Sequence, residues 1–349
     1  MHSSNPPHPY SDRPERAFWS KAAAAQHVTN ISGLFDGVPG LEGCKIATAG
    51  SCFAQHIGKF LKSRGLPYLD YEPGPSFLSA EESARFGYGL FSCRYGNIYT
   101  ARQLRQLFDE AFSKRKPQDA IWTKGNRYYD ALRPGIEPPG ASSAEEIAAL
   151  RALHLARVRA LFSDLDLFVF TLGLTEAWVS NLDDTVYPIA PGVIAGSYDP
   201  ERYRFVNFRY NDVYEDMRYF VDALRAINPN ARVLLTVSPV SLAATATDNH
   251  VLVATTYSKS VLRAVAGDLA ADIPGVFYFP SYEIITGPPA RHMFYNPDLR
   301  TVCDAGVATV MQHFFSNNGV AEEQAAASAA PRVERGFEHC EESQLDLTR

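Results

Sequence analysis

The sequence predicts an α/β protein, a three-layer α/β/α sandwich built on a mainly parallel sheet. Two observations predict this fold. Short, continuously apolar segments alternate along the chain with segments whose apolar residues recur at helical spacing. Strands that are apolar throughout are typical of a parallel sheet covered by helices on both faces.

The predicted strands are apolar runs at residues 45–49, 167–171, 232–237 and 276–279. After the first strand, Phe53, Ile57 and Leu61 recur at helical spacing until Gly65, which predicts a strand, a sharp turn and a helix. Helices of the same kind are predicted before each of the other three strands and at the end of the domain, around residues 307–315. In such sheets the ligand site lies beyond the carboxyl ends of the strands.

We predict a single domain over residues 17–315. Residues 1–16 are rich in Pro, Ser and His, which indicates a flexible arm, and residues 316–349 are rich in Ala, Glu, Gln and Ser, which indicates a disordered tail. Residues 66–139 and 181–211 are rich in Tyr, Gly and Pro, and we interpret them as insertions with few regular elements that roof the site or form a small cap.

Composition excludes several classes of function. The net charge is -6 and no basic run is present, so nucleic acid is not expected as a partner. The sequence shows neither an apolar run long enough to span a membrane nor a signal peptide, and a cytoplasmic location is the expectation. The five cysteines form no C-x-x-C pair, and we find no metal motif or phosphate loop, so neither a metal nor a cofactor is expected. The oligomeric state is left open.

Ser51 is the candidate nucleophile. It follows the first strand directly and begins the first helix, where backbone N–H groups and the helix dipole stabilise a developing negative charge. The alternative is that Ser51 only caps the helix. The neighbouring thiol of Cys52 has no more activation than Ser51, and we expect it to turn inward.

Several segments, in order along the chain, resemble the GSCFA family. The signature Gly50-Ser51-Cys52-Phe53-Ala54 is followed by residues 96–100 (GNIYT), 171–178 (TLGLTEAW), 238–240 (SPV), 257–260 (YSKS) and 278–284 (YFPSYEI). The family is similar to the SGNH (GDSL-like) hydrolases, which have a flavodoxin-like three-layer sandwich. The resemblance therefore implies the same fold as the apolar pattern.

The resemblance also implies an esterase mechanism with Ser51 as nucleophile. The residues that match the oxyanion and substrate-binding blocks are Cys52, Gly96, Asn97, Gly173, Thr175 and Glu176, with Thr175 in place of the usual asparagine donor. Near the carboxyl end such enzymes carry D-x-x-H. Asp298 fits this motif, but Thr301 stands where the histidine base is expected.

Another imidazole must therefore supply the base, because an unassisted serine is a weak nucleophile at neutral pH. His250 follows a strand and opens a helix, and His292 precedes Asp298 in the last loop, so both are expected at the correct edge of the sheet. His56 is the third candidate, one turn into the helix of Ser51. We interpret His154, on a predicted helix, as a surface or core histidine.

Two other groupings are weaker. Glu176 and Glu283 each follow a predicted strand and would form a carboxylate pair of the glycosidase kind if they met. Lys259, between Ser258 and Ser260, raises a serine–lysine arrangement, but an exposed basic residue on a helix is the simpler interpretation.

Three functions follow from these residues. The first is an esterase or deacylase that acts on an O-acyl ester of a small molecule or carbohydrate. The second is an O-acyltransferase that uses the same serine. The third is a non-catalytic carbohydrate-binding or partner-binding protein, which Thr301 favours.

Overall fold

The computed structural model describes residues 8–316, 318, 341–342 and 344–345. The strands of this part of the chain are β1 (Ile46–Gly50), β2 (Ile121–Lys124), β3 (Arg127–Asp130), β4 (Leu167–Leu172), β5 (Glu176–Ser180), β6 (Val186–Tyr187), β7 (Tyr203–Asn207), β8 (Arg232–Val237) and β9 (Val276–Tyr278). Its α-helices are α1 (Phe53–Ser63), α2 (Ala80–Arg85), α3 (Ala101–Ala111), α4 (Ala144–Asp164), α5 (Tyr210–Ile227), α6 (Val251–Asp272), α7 (Ser281–Thr286) and α8 (Asp304–Ser316). Single-turn segments lie at Glu15–Ala17, Ser20–Ala24, Val28–Asn30, Leu41–Gly43 and Pro288–Ala290.

The central sheet is parallel, with the strand order β1-β4-β8-β9. The backbone at Tyr68 adds a parallel bridge to Ile46 on the free side of β1. At the carboxyl edge, Gly50 pairs with Thr171, and Thr171 pairs in turn with Thr236. The residues that follow β1, β4 and β8 therefore emerge side by side.

Helices cover both faces of this sheet, because the buried strands are apolar on both sides. In β4, Phe168 and Phe170 join one core cluster, which also contains side chains of α3, α4, α5 and α6. Leu167 and Val169 of the same strand point the other way and join a second cluster, with side chains of α1, α7 and α8. The predicted three-layer α/β/α sandwich is confirmed.

The two predicted insertions contain more regular structure than their composition indicates. Residues 66–139 hold α2, α3 and the hairpin β2–β3, and residues 181–211 hold β6 and β7, which flank β5 in an antiparallel sheet. Aromatic side chains of both segments pack together in a third cluster, with Trp122 against Tyr187 and Tyr203. Composition alone did not reveal this packing because the strands are short.

A buried charge cluster ties the first insertion to the domain. Arg151 of α4 contacts Glu110 of α3 at 2.5 Å and Asp130 of β3 at 3.1 Å. Burial acts to raise the pKa of Asp130, but the Arg151 and Arg133 guanidinium groups outweigh it and hold that pKa at about 2.

The two ends of the chain differ. Residues 8–16 of the predicted arm are exposed, while residues 1–7 of the arm lie outside the described residues. In the predicted tail, Glu341 and Glu342 are buried, and most of the rest of that segment lies outside the described part of the chain. Within the described residues, no helix is both long enough and apolar enough to span a bilayer.

Candidate active site

Ser51 lies between the end of β1 and the start of α1, in a turn that only glycine permits. Gly50 has φ 138°, and a Cβ at this position would lie 2.5 Å from the carbonyl oxygen of Thr171. The Ser51 amide donates to the same oxygen at 3.3 Å. The neighbouring strand thus fixes the serine at the carboxyl edge of the sheet.

The Ser51 side chain is buried at this turn. The residue is 3% exposed, and its Oγ has no hydrogen-bond partner among the described residues. The N-cap residue of α1 is Cys52, which makes no side-chain cap, and Ser51 Oγ makes no hydrogen bond to the helix, so the alternative that Ser51 is a helix cap is wrong. A buried hydroxyl without a partner costs about 1–3 kcal/mol, and such a group in a native fold requires a reason. A ligand that accepts or donates at this position supplies one.

The segment at residues 96–100 lies across the ends of β1 and β4. The Ile98 amide donates to Gly50 O at 2.9 Å, and Tyr99 O accepts from the amides of Gly173 and Leu174 at 3.1 and 2.9 Å. Gly173 itself packs against Ser51, since a Cβ there would lie 3.0 Å from Ser51 Cβ. The fold therefore brings together three of the blocks that the sequence places far apart.

Two of the predicted oxyanion residues are buried at this junction. Asn97 accepts from Gln55 Nε2 at 3.3 Å through its side-chain oxygen, which leaves its amide nitrogen as the donor. The Thr175 amide donates to Ser258 Oγ at 3.1 Å, whereas Thr175 Oγ1 has no partner among the described residues. Gly96, with φ 70°, provides the turn that leads into Asn97.

The remaining residues predicted for these blocks have other surroundings. Cys52 is buried in the cluster of α1, α7 and α8, so its side chain turns inward as expected. Glu176 opens β5 and accepts from Thr245 Oγ1 at 2.7 Å. Glu283 lies in α7, where it pairs with Arg263 and accepts from Tyr278 OH. Each carboxylate has partners of its own, and no contact joins them into a pair.

None of the three histidines predicted as the base contacts Ser51 Oγ. His250 is exposed and caps α6, where its Nδ1 accepts from the Leu252 amide at 3.1 Å. His292 is exposed in the last loop, at φ 59°. His56 lies along α1 beside the ring of Phe53, as its position in the helix predicts.

His154 has a different role. It is buried, its Nδ1 lies 2.7 Å from Glu72 Oε2, and burial lowers its pKa to about 4. This placement confirms a core histidine.

The Asp298 carboxylate hydrogen-bonds to residues of its own loop. Its carboxylate accepts from the amides of Arg300 and Thr301, both at 3.0 Å, and from Thr301 Oγ1 at 2.7 Å. Burial acts to raise the pKa of Asp298, but these hydrogen bonds outweigh it, so the pKa lies below its ordinary value. Thr301 therefore takes the hydrogen bond that a histidine in the D-x-x-H motif would make.

Lys259, which the sequence analysis interpreted as an exposed helix residue, lies next to this junction. The prediction of an exposed helix residue is wrong: the side chain is 2% exposed, and its Nζ donates to Gly173 O at 2.7 Å. Burial lowers the pKa of Lys259 to about 8, and Cys52 is among the groups that act on its charge. The sequence does contain a pattern that indicates this burial, because Lys259 shares helical spacing with the buried Leu262 and Ala266.

Two acidic residues from the predicted tail also reach the site. The Glu341 carboxylate accepts from Asn97 Nδ2 at 2.5 Å and from Tyr99 OH at 3.0 Å. Glu342 accepts from Arg300 Nη2 at 3.0 Å. No local pattern predicts these contacts, since they join residues 42 to 244 positions apart in the chain.

A cavity of about 240 Å³ lies beside this junction. Its wall includes Leu174 and Leu242, which pack with Tyr99, and the aromatic residues Trp178 and Phe205 of the antiparallel sheet. The lining is largely apolar, with Glu176 and Glu342 as its charged members. It is adjacent to Ser51 through Gly173 and Leu174 and is suited to an apolar group or a sugar ring.

The fold and the site together define an α/β sandwich with a buried serine at the carboxyl end of a parallel strand, where such sheets place their ligands. The model of the GSCFA family matches residues 45–314, which include the whole central sheet and the Asp298 loop. The chain belongs to the GSCFA family. Comparison with curated proteins gives no match. Glu341 and Glu342 lie beyond the matched range.

Proposed function

We propose that this protein is a serine esterase or deacylase that acts on an O-acyl ester of a small molecule or a carbohydrate. The observation that supports this most directly is the buried Ser51 hydroxyl, which has no hydrogen-bond partner within the described part of the chain and packs against Gly173 at the carboxyl edge of the sheet. The similarity of the family to SGNH hydrolases supports the same chemistry. In this proposal Ser51 Oγ attacks the ester carbonyl, the alkoxide leaves with a proton, and water releases the acyl group from Ser51.

The negative charge that develops on the carbonyl oxygen needs hydrogen-bond donors. Thr175 Oγ1 has no partner among the described residues, and Asn97 Nδ2 is directed into the same junction. We assign these two groups to the oxyanion. Donors of this kind contribute about 3–4 kcal/mol each to transition-state binding, because they are oriented before the charge develops.

We assign the role of proton acceptor to Lys259. Its buried Nζ donates to the carbonyl oxygen of Gly173, the same residue that packs against Ser51. The lowered pKa of about 8 leaves a fraction of the lysine amines neutral near neutral pH. Nζ does not hydrogen-bond to Ser51 Oγ, so this role requires a bridging water or a movement of the lysine side chain. His250, His292 and His56 stay as candidate bases that require a loop or side-chain movement.

A second candidate function is a non-catalytic binding protein for carbohydrates or protein partners. The observation that favours it is the hydrogen bond from Thr301 Oγ1 to the Asp298 carboxylate, which replaces the hydrogen bond that would orient a histidine. In this case the cavity beside Trp178 binds a ligand and Ser51 carries out no chemistry.

The deciding experiment compares Ser51→Ala with Ser260→Ala, a control at an exposed serine on α6. We expect Ser51→Ala to reduce hydrolysis of p-nitrophenyl acetate by about a thousandfold or more and to abolish labelling by a fluorophosphonate, while Ser260→Ala leaves both unchanged. Equal rates and equal labelling in the two variants would favour the binding protein. A rate that depends on an added sugar acceptor would identify acyl transfer as the reaction.

A further inference from the structure

The carboxylate of Glu341 lies in the part of the site that we assign to the substrate carbonyl. Glu341 is 2% exposed, and Asn97 Nδ2 and Tyr99 OH both donate to its Oε2. Its Oε1 lies 3.4 Å from the position that a Cβ on Gly96 would occupy. A carboxylate has two acceptor oxygens on a planar carbon, so it is a natural ligand for donors that receive an ester oxygen.

The next residue forms a second anchor. Glu342 pairs with Arg300 at 3.0 Å, and both side chains are largely shielded from water. The charge of Glu342 also acts on the buried Lys259 and favours its protonated form. Burying a carboxylate is costly unless a cation or several donors meet it, so these contacts are specific to an acidic segment.

A third anchor is apolar. Leu345 and Glu342 both lie in the wall of the 240 Å³ cavity, together with Leu174, Trp178 and Phe205. Glu341, Glu342 and Leu345 therefore contact, respectively, the donors, the cation and the apolar cavity of the site.

We propose that the C-terminal residues 341–342 and 344–345 dock into the candidate active site of their own chain and exclude substrate from it. The docking itself does not depend on the proposed esterase activity; only its inhibitory consequence does. The segment shows which groups the site recognises, namely a planar carboxylate or carbonyl group at Asn97 and Tyr99, and an apolar group beside Trp178. Because the segment is tethered, its local concentration is on the order of millimolar, which makes even a weak docking contact effective.

The test uses full-length protein in three forms. The tail variant carries Glu341→Ala, Glu342→Ala and Leu345→Ala. The control variant makes the same changes at exposed positions elsewhere, Glu42→Ala, Glu215→Ala and Leu153→Ala. The third form is the unaltered chain.

The probe is a fluorescein-labelled synthetic peptide of residues 338–349 with Cys340→Ser, and fluorescence anisotropy measures its binding. We expect the peptide to bind the tail variant at least about 100-fold more tightly than the unaltered chain or the control variant, in which the tethered segment competes. Adding Tyr99→Phe to the tail variant removes one donor to Glu341 and should weaken peptide binding by about tenfold.

Equal binding to all three forms, or no binding to the tail variant, would overturn the proposal. Light scattering distinguishes the occupant: an unaltered chain that dimerises, and a tail variant that does not, would mean that the segment docks into a second copy instead.

Hydrolysis of p-nitrophenyl acetate is measured in the same three forms, and each again with Ser51→Ala. If the protein is an esterase, the tail variant should show a kcat/KM at least about tenfold above that of the control variant. A lower kcat in the tail variant would show that the C-terminal segment supports catalysis, and would refute inhibition. If no form hydrolyses the ester, the esterase proposal fails while the peptide titration still decides the docking.

Discussion

Replacing Lys259 by methionine should change how the stability of the fold depends on pH. In the folded protein, burial lowers the pKa of this amine from its ordinary value of 10.5 to about 8. Between these two values the unfolded chain binds a proton that the folded chain does not, so the free energy of unfolding rises as the pH increases through this window. Below pH 8 both states are protonated and the full cost of burying the charge is present.

The gap between the two pKa values, at about 1.4 kcal/mol for each pH unit, corresponds to about 3 kcal/mol. The unaltered protein should therefore gain about 3 kcal/mol between pH 8 and 10.5 relative to Lys259→Met. The variant also loses the hydrogen bond to Gly173 O, which shifts its stability by a constant amount and leaves the pH dependence unaffected. Tyrosine ionisation in the same range is common to both proteins and cancels in the difference.

Urea denaturation at intervals from pH 7 to 10.5, followed by circular dichroism, gives the free energy of unfolding of both proteins. Arg157→Met, at an exposed position on α4, is the control. Its free energy of unfolding should vary with pH in parallel with that of the unaltered protein. If the curves for Lys259→Met and the unaltered protein are also parallel, the buried amine titrates normally. The assignment of Lys259 as proton acceptor would then be refuted.

Three further predictions concern the frame of the site. Gly50→Ala should destabilise the fold by about 3 kcal/mol, because φ is 138° and the new Cβ would meet Thr171 O; thermal denaturation measures this, and an unchanged midpoint would contradict it. Relative to His154→Gln, the unaltered protein should lose about 3 kcal/mol as the pH falls from 6.5 to 4, since only the unfolded chain takes up the imidazole proton in that window; parallel urea curves would refute this. Arg151→Met should cost about 3–5 kcal/mol in urea denaturation, because it leaves the buried Glu110 carboxylate without its cation; a cost below about 1 kcal/mol would show that the pair is dispensable.

The architecture could be predicted from local patterns in the sequence. Strands β1, β4, β8 and β9 lie within a residue or two of the predicted runs, and the helices around them follow the predicted periodicity. Periodicity is a local property, since a strand buried on both faces must be apolar throughout and a covering helix must be apolar on one face. The position of Ser51 at a strand end follows from the same pattern.

The surroundings of that serine could not be predicted in this way, because they depend on long-range packing. The contacts of Gly173 with Ser51, of Lys259 with Gly173 and of Glu341 with Asn97 join segments that are far apart in the chain. No local pattern encodes such contacts, because each depends on where a loop or a chain end is held by the packing of everything between. Asp298 is a further example of what residue type alone does not predict. It fits a catalytic motif, but its carboxylate accepts hydrogen bonds from Thr301 and stabilises a turn. Local sequence predicts where Ser51 lies, whereas the three-dimensional packing determines its neighbours.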